Sequence, residues 1–330
     1  MTVGTAFARA GLLGNPSDGY FGKVIAISVK NFAARVILEP SAELRILGAA
    51  EDEDKYATPS SFLEHVDLYG YYGGVRLVKA ALKKFMEYCR ASRIAIPPEN
   101  FSVRYESSIP RQIGLGGSSA LITAAFRAFM AFTGIDIPVE IQPSLILSAE
   151  REELDINAGF MDRVTQVYEG CVYMDLDRRM LQEQGHGIYE RLDPNLLPDL
   201  YLAYKPSLGK VSGRVLNEIR SNYDKGDPHT IRTLAEIAAL AEEGKRALLR
   251  GDRESLFGLM NQNFDLRRSI MTITPANLAM IATARRCGAS SKFAGSGGSI
   301  IGMYHGASMY ERLEKELADL GAVVIKPIIV

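Results

Sequence analysis

Pro110-Arg111-Gln112-Ile113-Gly114-Leu115-Gly116-Gly117-Ser118-Ser119-Ala120 concentrates glycines and hydroxyls between an expected strand and an expected helix. Upstream, Phe101, Val103 and Tyr105 alternate with Ser102, Arg104 and Glu106, the two-residue period of a half-buried strand. Downstream, Leu121, Ile122, Ala125, Phe126, Phe129 and Met130 recur at helical spacing, with Ser118 or Ser119 suited to the N-cap. Unpaired N–H groups at a helix start, reached through glycines, make an anion site without any charged side chain. The stretch therefore reads as a phosphate cradle. No lysine follows Gly117, which excludes a Walker A loop. Ser119 stands where a dinucleotide fingerprint needs its third glycine.

Composition sets the outer limits. The 330 residues suffice for two domains or one large one, and 47% hydrophobic content with a net charge of −1 describes a soluble globular chain. Basic residues are scattered and no uninterrupted apolar run approaches the length of a membrane span, so neither a nucleic-acid nor a membrane partner is expected. The N-terminus lacks a basic-then-apolar signal pattern, and a cytoplasmic protein is expected. Cys89, Cys171 and Cys287 are far apart and read as reduced, buried thiols. The dispersed His65, His186, His229 and His305 speak against a zinc site.

Along the chain, an apolar segment carrying Arg9 breaks into the turn-rich Gly14-Asn15-Pro16-Ser17-Asp18-Gly19. Val24 to Val29, Ala33 to Leu38 and Glu43 to Leu47 are strand candidates separated by Asn31 and Pro40, and an antiparallel sheet is expected. The acidic run 51–54 reads as a solvated loop, and Tyr69-Gly70-Tyr71-Tyr72-Gly73-Gly74 as core or hinge packing or as a wall for an adenine ring. A helix from Pro143 to Leu154 carries Glu150 and leads into Gly159-Phe160-Met161-Asp162. Polar residues through Gly187 suggest a boundary, giving domains 1–187 and 188–330. Lys205 to Arg214 is a cationic, serine-bearing loop, either anion-binding or solvated. Helical patterns then span Pro228 to Leu249, Arg253 to Met271 and Pro275 to Arg286, before a second glycine-rich turn, Gly295-Ser296-Gly297-Gly298, and a final strand, Val323 to Val330.

The stretch 110–120, with Arg9 to Gly19 before it and Lys292 to Gly302 after it, resembles the three motifs of the GHMP kinases, the superfamily of galactokinase, homoserine kinase and mevalonate kinase. The resemblance spans essentially the whole chain. Stretches 9–19, 110–120 and 162–170 look most like the glucuronokinases, which phosphorylate the anomeric hydroxyl of D-glucuronate. Asn15 and Pro16 stand where many relatives have Glu and His.

The resemblance implies an α+β fold, an N-terminal domain related to a ribosomal-protein fold and a C-terminal ferredoxin-like domain, with the site in the cleft between them. It implies ATP and Mg²⁺, and a sugar or uronic acid as substrate. Gly114, Leu115, Gly116, Gly117, Ser118, Ser119 and Ala120, with Gly295 and Gly297, would hold ATP. Ser118 and Glu150 would ligate magnesium, a cation suited to hard oxygen ligands. Ala149-Glu150 stands twelve residues before Asp162, as in galactokinase-like members. Asp162 would take the hydroxyl proton, Arg9 would stabilise the transferring phosphate, and Asp18 and Asn15 would bind sugar. A uronate carboxylate needs a cationic partner, for which Lys205, Lys210, Arg214 and Arg111 are candidates. The rival readings are another sugar kinase (galactose, galacturonate, N-acetylhexosamine or heptose), an ATP-using decarboxylase, or a catalytically silent sugar and ATP sensor. Oligomeric state is left open.

Overall fold

Alternation of small and branched apolar residues makes the first forty residues a pair of long antiparallel strands, β1 (Thr2–Leu13) and β2 (Lys23–Pro40). The computed structural model describes residues 1–48, 73–208 and 212–330. After β2 come β3 (Arg45–Ile46), α1 (Gly74–Ala91), β4 (Phe101–Ser107), α2 (Gly117–Thr133), α3 (Gln142–Leu154), α4 (Met161–Tyr168), β5 (Cys171–Asp175), α5 (Arg178–Gln184) and β6 (Ile188–Leu192). The first sheet runs β3-β4-β2-β5-β6, with β1 also on β2. β2 serves two neighbours in turn: Lys23 to Ile27 pair with β5, and Ala34 to Pro40 with β4.

Asn31, read as a break between two strands, marks a bulge in one strand instead. Ala8 pairs with Val29 but Phe7 with Ala33, so residues 30–32 loop out. The C-terminal tail satisfies their polar groups: Lys30 N–H donates to Ile328 O at 2.7 Å, and Asn31 accepts from Ile328 N–H at 2.7 Å. The last strand therefore ends early, β10 covering only Val323–Ile325.

The remaining elements are β7 (Leu200–Tyr204), α6 (Ser212–Asp224), α7 (Pro228–Arg250), α8 (Arg253–Ser269), α9 (Pro275–Arg286), β8 (Lys292–Phe293), β9 (Ser299–Met303) and α10 (Gly306–Ala318), closed by β10. Their sheet order, β10-β7-β9-β8, is antiparallel throughout, with α6 to α9 between β7 and β8 and α10 between β9 and β10. That is the ferredoxin-like β-α-β-β-α-β arrangement with added helices. The expected α+β two-part architecture is present.

The division at 187/188 needs correction. β6 pairs with β5 from Cys171↔Leu192 to Asp175↔Ile188, so the first sheet includes residues past 187. β6 lies at the sheet edge, where an exposed Ile188 and the charged Glu190 and Arg191 are tolerated. Among the described residues no helix is long and apolar enough to cross a membrane, and the cysteines are buried and unpaired.

The first sheet packs closely on α2. A Cβ on Gly4 would stand 2.0 Å from Ala124 O, so only glycine lets β1 and α2 approach this far. A buried lysine ties the two sheets together. Lys292, on β8, donates from Nζ to Gly11 O at 2.7 Å, Phe293 O at 2.9 Å and Asn15 Oδ1. Burial, then the nearby Arg267 and Arg9, push its pKa well below the lysine range, while three acceptors around one nitrogen favour the ammonium. Lys292→Met keeps the stem but leaves those acceptors unpaired. It should cost on the order of 3 kcal/mol in urea unfolding of the full chain; a change under about 1 kcal/mol would remove Lys292 from this role.

Candidate active site

The loop 110–116 turns from β4 to α2 through left-handed Gln112, Gly114 and Gly116, with φ values of 57°, 73° and 74°. Gly116 is the N-cap of α2, in place of the expected serines, and no side chain accepts at that cap. The first-turn N–H groups of a helix have no intrahelical partner, and here no capping oxygen competes for them. Ala120 is corrected by the same geometry. Its N–H donates to Gly116 O at 2.9 Å and its side chain is fully buried, so it has nothing to offer a nucleotide. Leu115 is also buried, with its carbonyl accepting from Arg9 N–H at 3.1 Å.

The two glycine loops lie against each other. A Cβ on Gly295 would stand 2.1 Å from Gly114 O, and one on Gly114 would stand 2.8 Å from Gly297 O. Gly295 and Gly297 are buried and thus brace the cradle from behind. Gly295 O accepts from Arg267 at 2.7 Å. Arg267 is fully buried, and burial first lowers its pKa to about 10.

Arg9 sits where these loops meet. Its Nε donates to Asp162 Oδ1 at 2.7 Å, and its terminal nitrogen to Gly114 O at 2.5 Å and Ala294 O at 3.4 Å. Asp162 is in the first turn of α4, and its Oδ2 accepts from Ser119 Oγ at 3.4 Å. Gly116 must be glycine here on two counts: its φ is positive, and a Cβ would stand 3.1 Å from Asp162 Oδ2. Gln166, on the same helix, donates to Gly116 O at 2.8 Å and fixes the distance from α4 to the loop.

Glu150, on α3, is fully buried and divides its two oxygens between partners. Oε2 accepts from Arg163 Nε at 2.7 Å and also from its terminal nitrogen; Oε1 accepts from Ser118 Oγ at 2.9 Å. Among the described residues no group of three or more His, Cys, Asp or Glu forms a metal site by itself. The Ser118–Glu150 donor set nevertheless fits magnesium, which binds through one or two hard protein oxygens and fills its octahedron with water and phosphate. The buried Glu150 carboxylate turns one oxygen to the cradle's own hydroxyl, the type of hard oxygen such a cation takes.

Asp18 lies in the short 3₁₀ turn Ser17–Gly19 and accepts from Met161 N–H at 3.1 Å. It is reachable by solvent yet closely surrounded by protein, the condition of a group in a cleft. Burial raises its pKa above 3.8, and Asp162 adds to the rise, against Met161 N–H, Arg9 and Arg163. Gly159 is the neighbour that makes room, since a Cβ there would stand 1.9 Å from Asp18 Oδ2.

Asn15 is a correction. It is buried, its Oδ1 holds Lys292, its O accepts from Asn263 at 3.1 Å and its Nδ2 reaches Gly295 O at 3.5 Å. Its side-chain amide and its carbonyl are thus engaged in the loop's support. Of the cations expected to meet a carboxylate, Lys205 runs towards Gly321, its Cε 3.8 Å from where a Cβ would stand, and Arg111 is exposed beside the cradle. Lys210, the Arg214 side chain and the aromatic cluster 69–72 lie outside the described residues. Arg163, Gln166, Arg267 and Lys292 were missed in the sequence. Arg163 had one signal, its place beside Asp162 at the start of a helix; the others look like ordinary polar positions.

A family model described as the GHMP kinases N terminal domain matches residues 76–170. Glucuronokinase 1 of Arabidopsis thaliana is 42% identical over 323 residues, 96% of this chain and 89% of its own length. Probable glucuronokinase 2 of the same organism is 42% identical over 327 residues, 97% of this chain and 89% of its own. The solved structure of Streptococcus pneumoniae phosphomevalonate kinase, in complex with phosphomevalonate and AMPPNP, shares the fold, with a TM-score of 0.78 over 100% of both chains at 16% identity. Loop, acid and basic partner thus stand together in a chain whose full-length relatives are named as kinases, and the chain belongs to the GHMP kinase superfamily of ATP-dependent phosphotransferases.

Proposed function

We propose that the protein is a sugar 1-kinase that phosphorylates the anomeric hydroxyl of D-glucuronate. The observation that carries the reading is the closeness of one carboxylate to the cradle: Asp162 Oδ2 is 3.4 Å from Ser119 Oγ, in the first turn of α2. Likeness to the Arabidopsis thaliana glucuronokinases, at 42% identity over nearly the whole chain, supports the substrate.

Phosphoryl transfer asks the protein mainly for positioning and for charge placed where negative charge gathers. The N–H groups of Gly117, Ser118 and Ser119 bind phosphate oxygens at the helix start. Asp18 accepts hydrogen bonds from sugar hydroxyls and sets the ring's position. Asp162 orients the C1 hydroxyl and takes its proton as the oxygen bonds to the γ-phosphorus and the bond to the ADP oxygen breaks. Arg9 holds Asp162 in register and gives positive charge to the transferring group. Ser118 and Glu150 would hold magnesium, which would supply positive charge to offset that of the phosphates. Arg163 keeps the Glu150 carboxylate fixed through its other oxygen.

Asp162→Asn and Arg9→Ala should each lower kcat by ~10²–10⁴-fold while ATP binding is retained, as expected for loss of proton transfer or charge stabilisation. Near-normal turnover by purified Asp162→Asn would remove that residue from the chemistry. A screen of free sugars and uronic acids, with phosphate position determined by NMR, should give glucuronate 1-phosphate; preference for galactose would replace the proposed substrate.

The raised pKa of Asp18 has a direction in activity. As pH falls, a carboxylate disfavoured by burial is lost sooner than a solvated one, so the acid limb of kcat/KM for the sugar should lie above the ordinary aspartate range. Asp18→Asn should lower kcat/KM and move that limb down. An unmoved limb would assign it to another group.

A further inference from the structure

We infer that Arg151 and Arg220 form the subsite for the substrate's carboxylate, at the far side of Asp18 from the reacting centre. The inference rests on the uronate-kinase reading above and adds the residues that would set its specificity.

The two arginines come from different elements and meet at one turn. Arg151, on α3, donates from Nε to Ala158 O at 2.8 Å and again from a terminal nitrogen to the same oxygen. Ala158 adjoins Gly159, which presses on Asp18. Arg220, on α6, donates to Gly19 O at 3.0 Å and lies 4.6 Å over the Tyr20 ring. Each guanidinium is thus anchored to a residue flanking the sugar-facing acid or the glycine against it. Tyr20 is braced in turn by Tyr223, with ring centroids 4.7 Å apart.

Charge bookkeeping marks this pair as open. Arg9 is taken by Asp162 and Arg163 by Glu150. Arg151 has no ion pair among the described residues, although two glutamates follow it in sequence. Glu152 and Glu153 turn away to α1, bonding Lys84 and Lys83 at 2.6 Å. Among the described residues Arg220 has only Asp224 as an ion-pair partner, at 3.4 Å one turn along its own helix, with the acid exposed. Arg151 is solvent-accessible yet crowded; burial lowers its pKa first and Arg220 beside it lowers it further, against Asp18 and Tyr20, which raise it. Two like charges held together at a cleft, each with donors to spare, favour an anion between them. Guanidinium groups match a planar carboxylate in two-pronged geometry, which a lysine does not.

The test compares glucuronate, glucose and glucose 6-phosphate as acceptors for the full chain and for Arg151→Gln, Arg220→Gln and the double variant. Arg179→Gln, an exposed arginine on α5, serves as the surface control, and nucleotide binding checks folding. The native chain should prefer glucuronate. Each single variant should lower the glucuronate-to-glucose ratio of kcat/KM about tenfold or more, mainly through the KM for glucuronate, and the double variant further, as expected for loss of a charge-assisted carboxylate contact. Arg220→Lys should recover part of that ratio, and Arg179→Gln should leave it unchanged. An intact ratio in the double variant, including one where every acceptor falls equally, would overturn the subsite and leave the kinase reading standing. Preference of the native chain for glucose 6-phosphate would assign the arginines to a phosphate ester and overturn the carboxylate. No preference for either anion over glucose would overturn the uronate reading itself, and the subsite with it.

Discussion

Arg9 is the constraint on which the site depends. Its guanidinium is almost wholly buried and joins three segments far apart in sequence: the cradle at Gly114, the second glycine loop at Ala294 and the acid Asp162 on α4. A buried guanidinium is tolerable only when its donors are met in good geometry, so each segment must be in place for the others to be stable. Displacing Asp162 would strand a charge; displacing either loop would strand a donor. The same bonds that make burial of Arg9 possible hold the acid beside the start of α2.

A second set of buried cations extends this logic across the two sheets. Lys292 and Arg267 both sit behind the second glycine loop, one bonded to the β1 turn and the other to Gly295. Among the described residues, one buried terminal nitrogen of Arg267 has no hydrogen-bond partner. Positive charge behind glycine loops raises the potential in the cleft they face, which suits a site for several phosphates. It also explains why glycines recur where the loops touch. Side chains at Gly114 or Gly295 would force the loops apart by more than their hydrogen bonds allow.

Much of the fold could be read locally, and the exceptions have physical reasons. The helices from Pro228 onward and the strand–loop–helix at 101–133 follow from periodicity because each signal is complete within its own segment. β1 was harder, since Gly4, Arg9 and Gly11 interrupt its apolar run. Gly4 is demanded by α2, Arg9 by the site, and Gly11 by Met161, whose sulfur would lie 2.7 Å from a Cβ there. The anion cradle was visible for the same local reason, but its partners were not. Arg9 and Asp162 are 153 positions apart, and only resemblance to a family brought them together before the structure did. Arg267 and Arg220 gave no signal at all, and Lys292 only its place at the start of the third motif, because burial and pairing are properties of the fold and not of the segment.

Substrate selectivity, in this architecture, is a question of which charges remain unspent once the fold is satisfied. The acids of the site have their first partners within the fold: Asp162 has Arg9, Glu150 has Arg163 and Ser118, and Asp18 accepts from Met161 N–H. Those that stand beside Arg151 in sequence face α1 instead. On the Asp18 side, Arg151 and Arg220 carry donors in excess of the partners they have, Ala158 O, Gly19 O and the exposed Asp224. A neutral sugar would leave that excess to water, whereas an anionic one would compensate it and give up part of its own hydration in return. The balance favours the anion only because the guanidinium groups are already fixed, Arg151 to Ala158 O and Arg220 to Gly19 O, so little side-chain freedom remains to be lost on binding. Preorganised positive charge at one end of the sugar and a proton acceptor at the other would orient the ring before the chemistry begins.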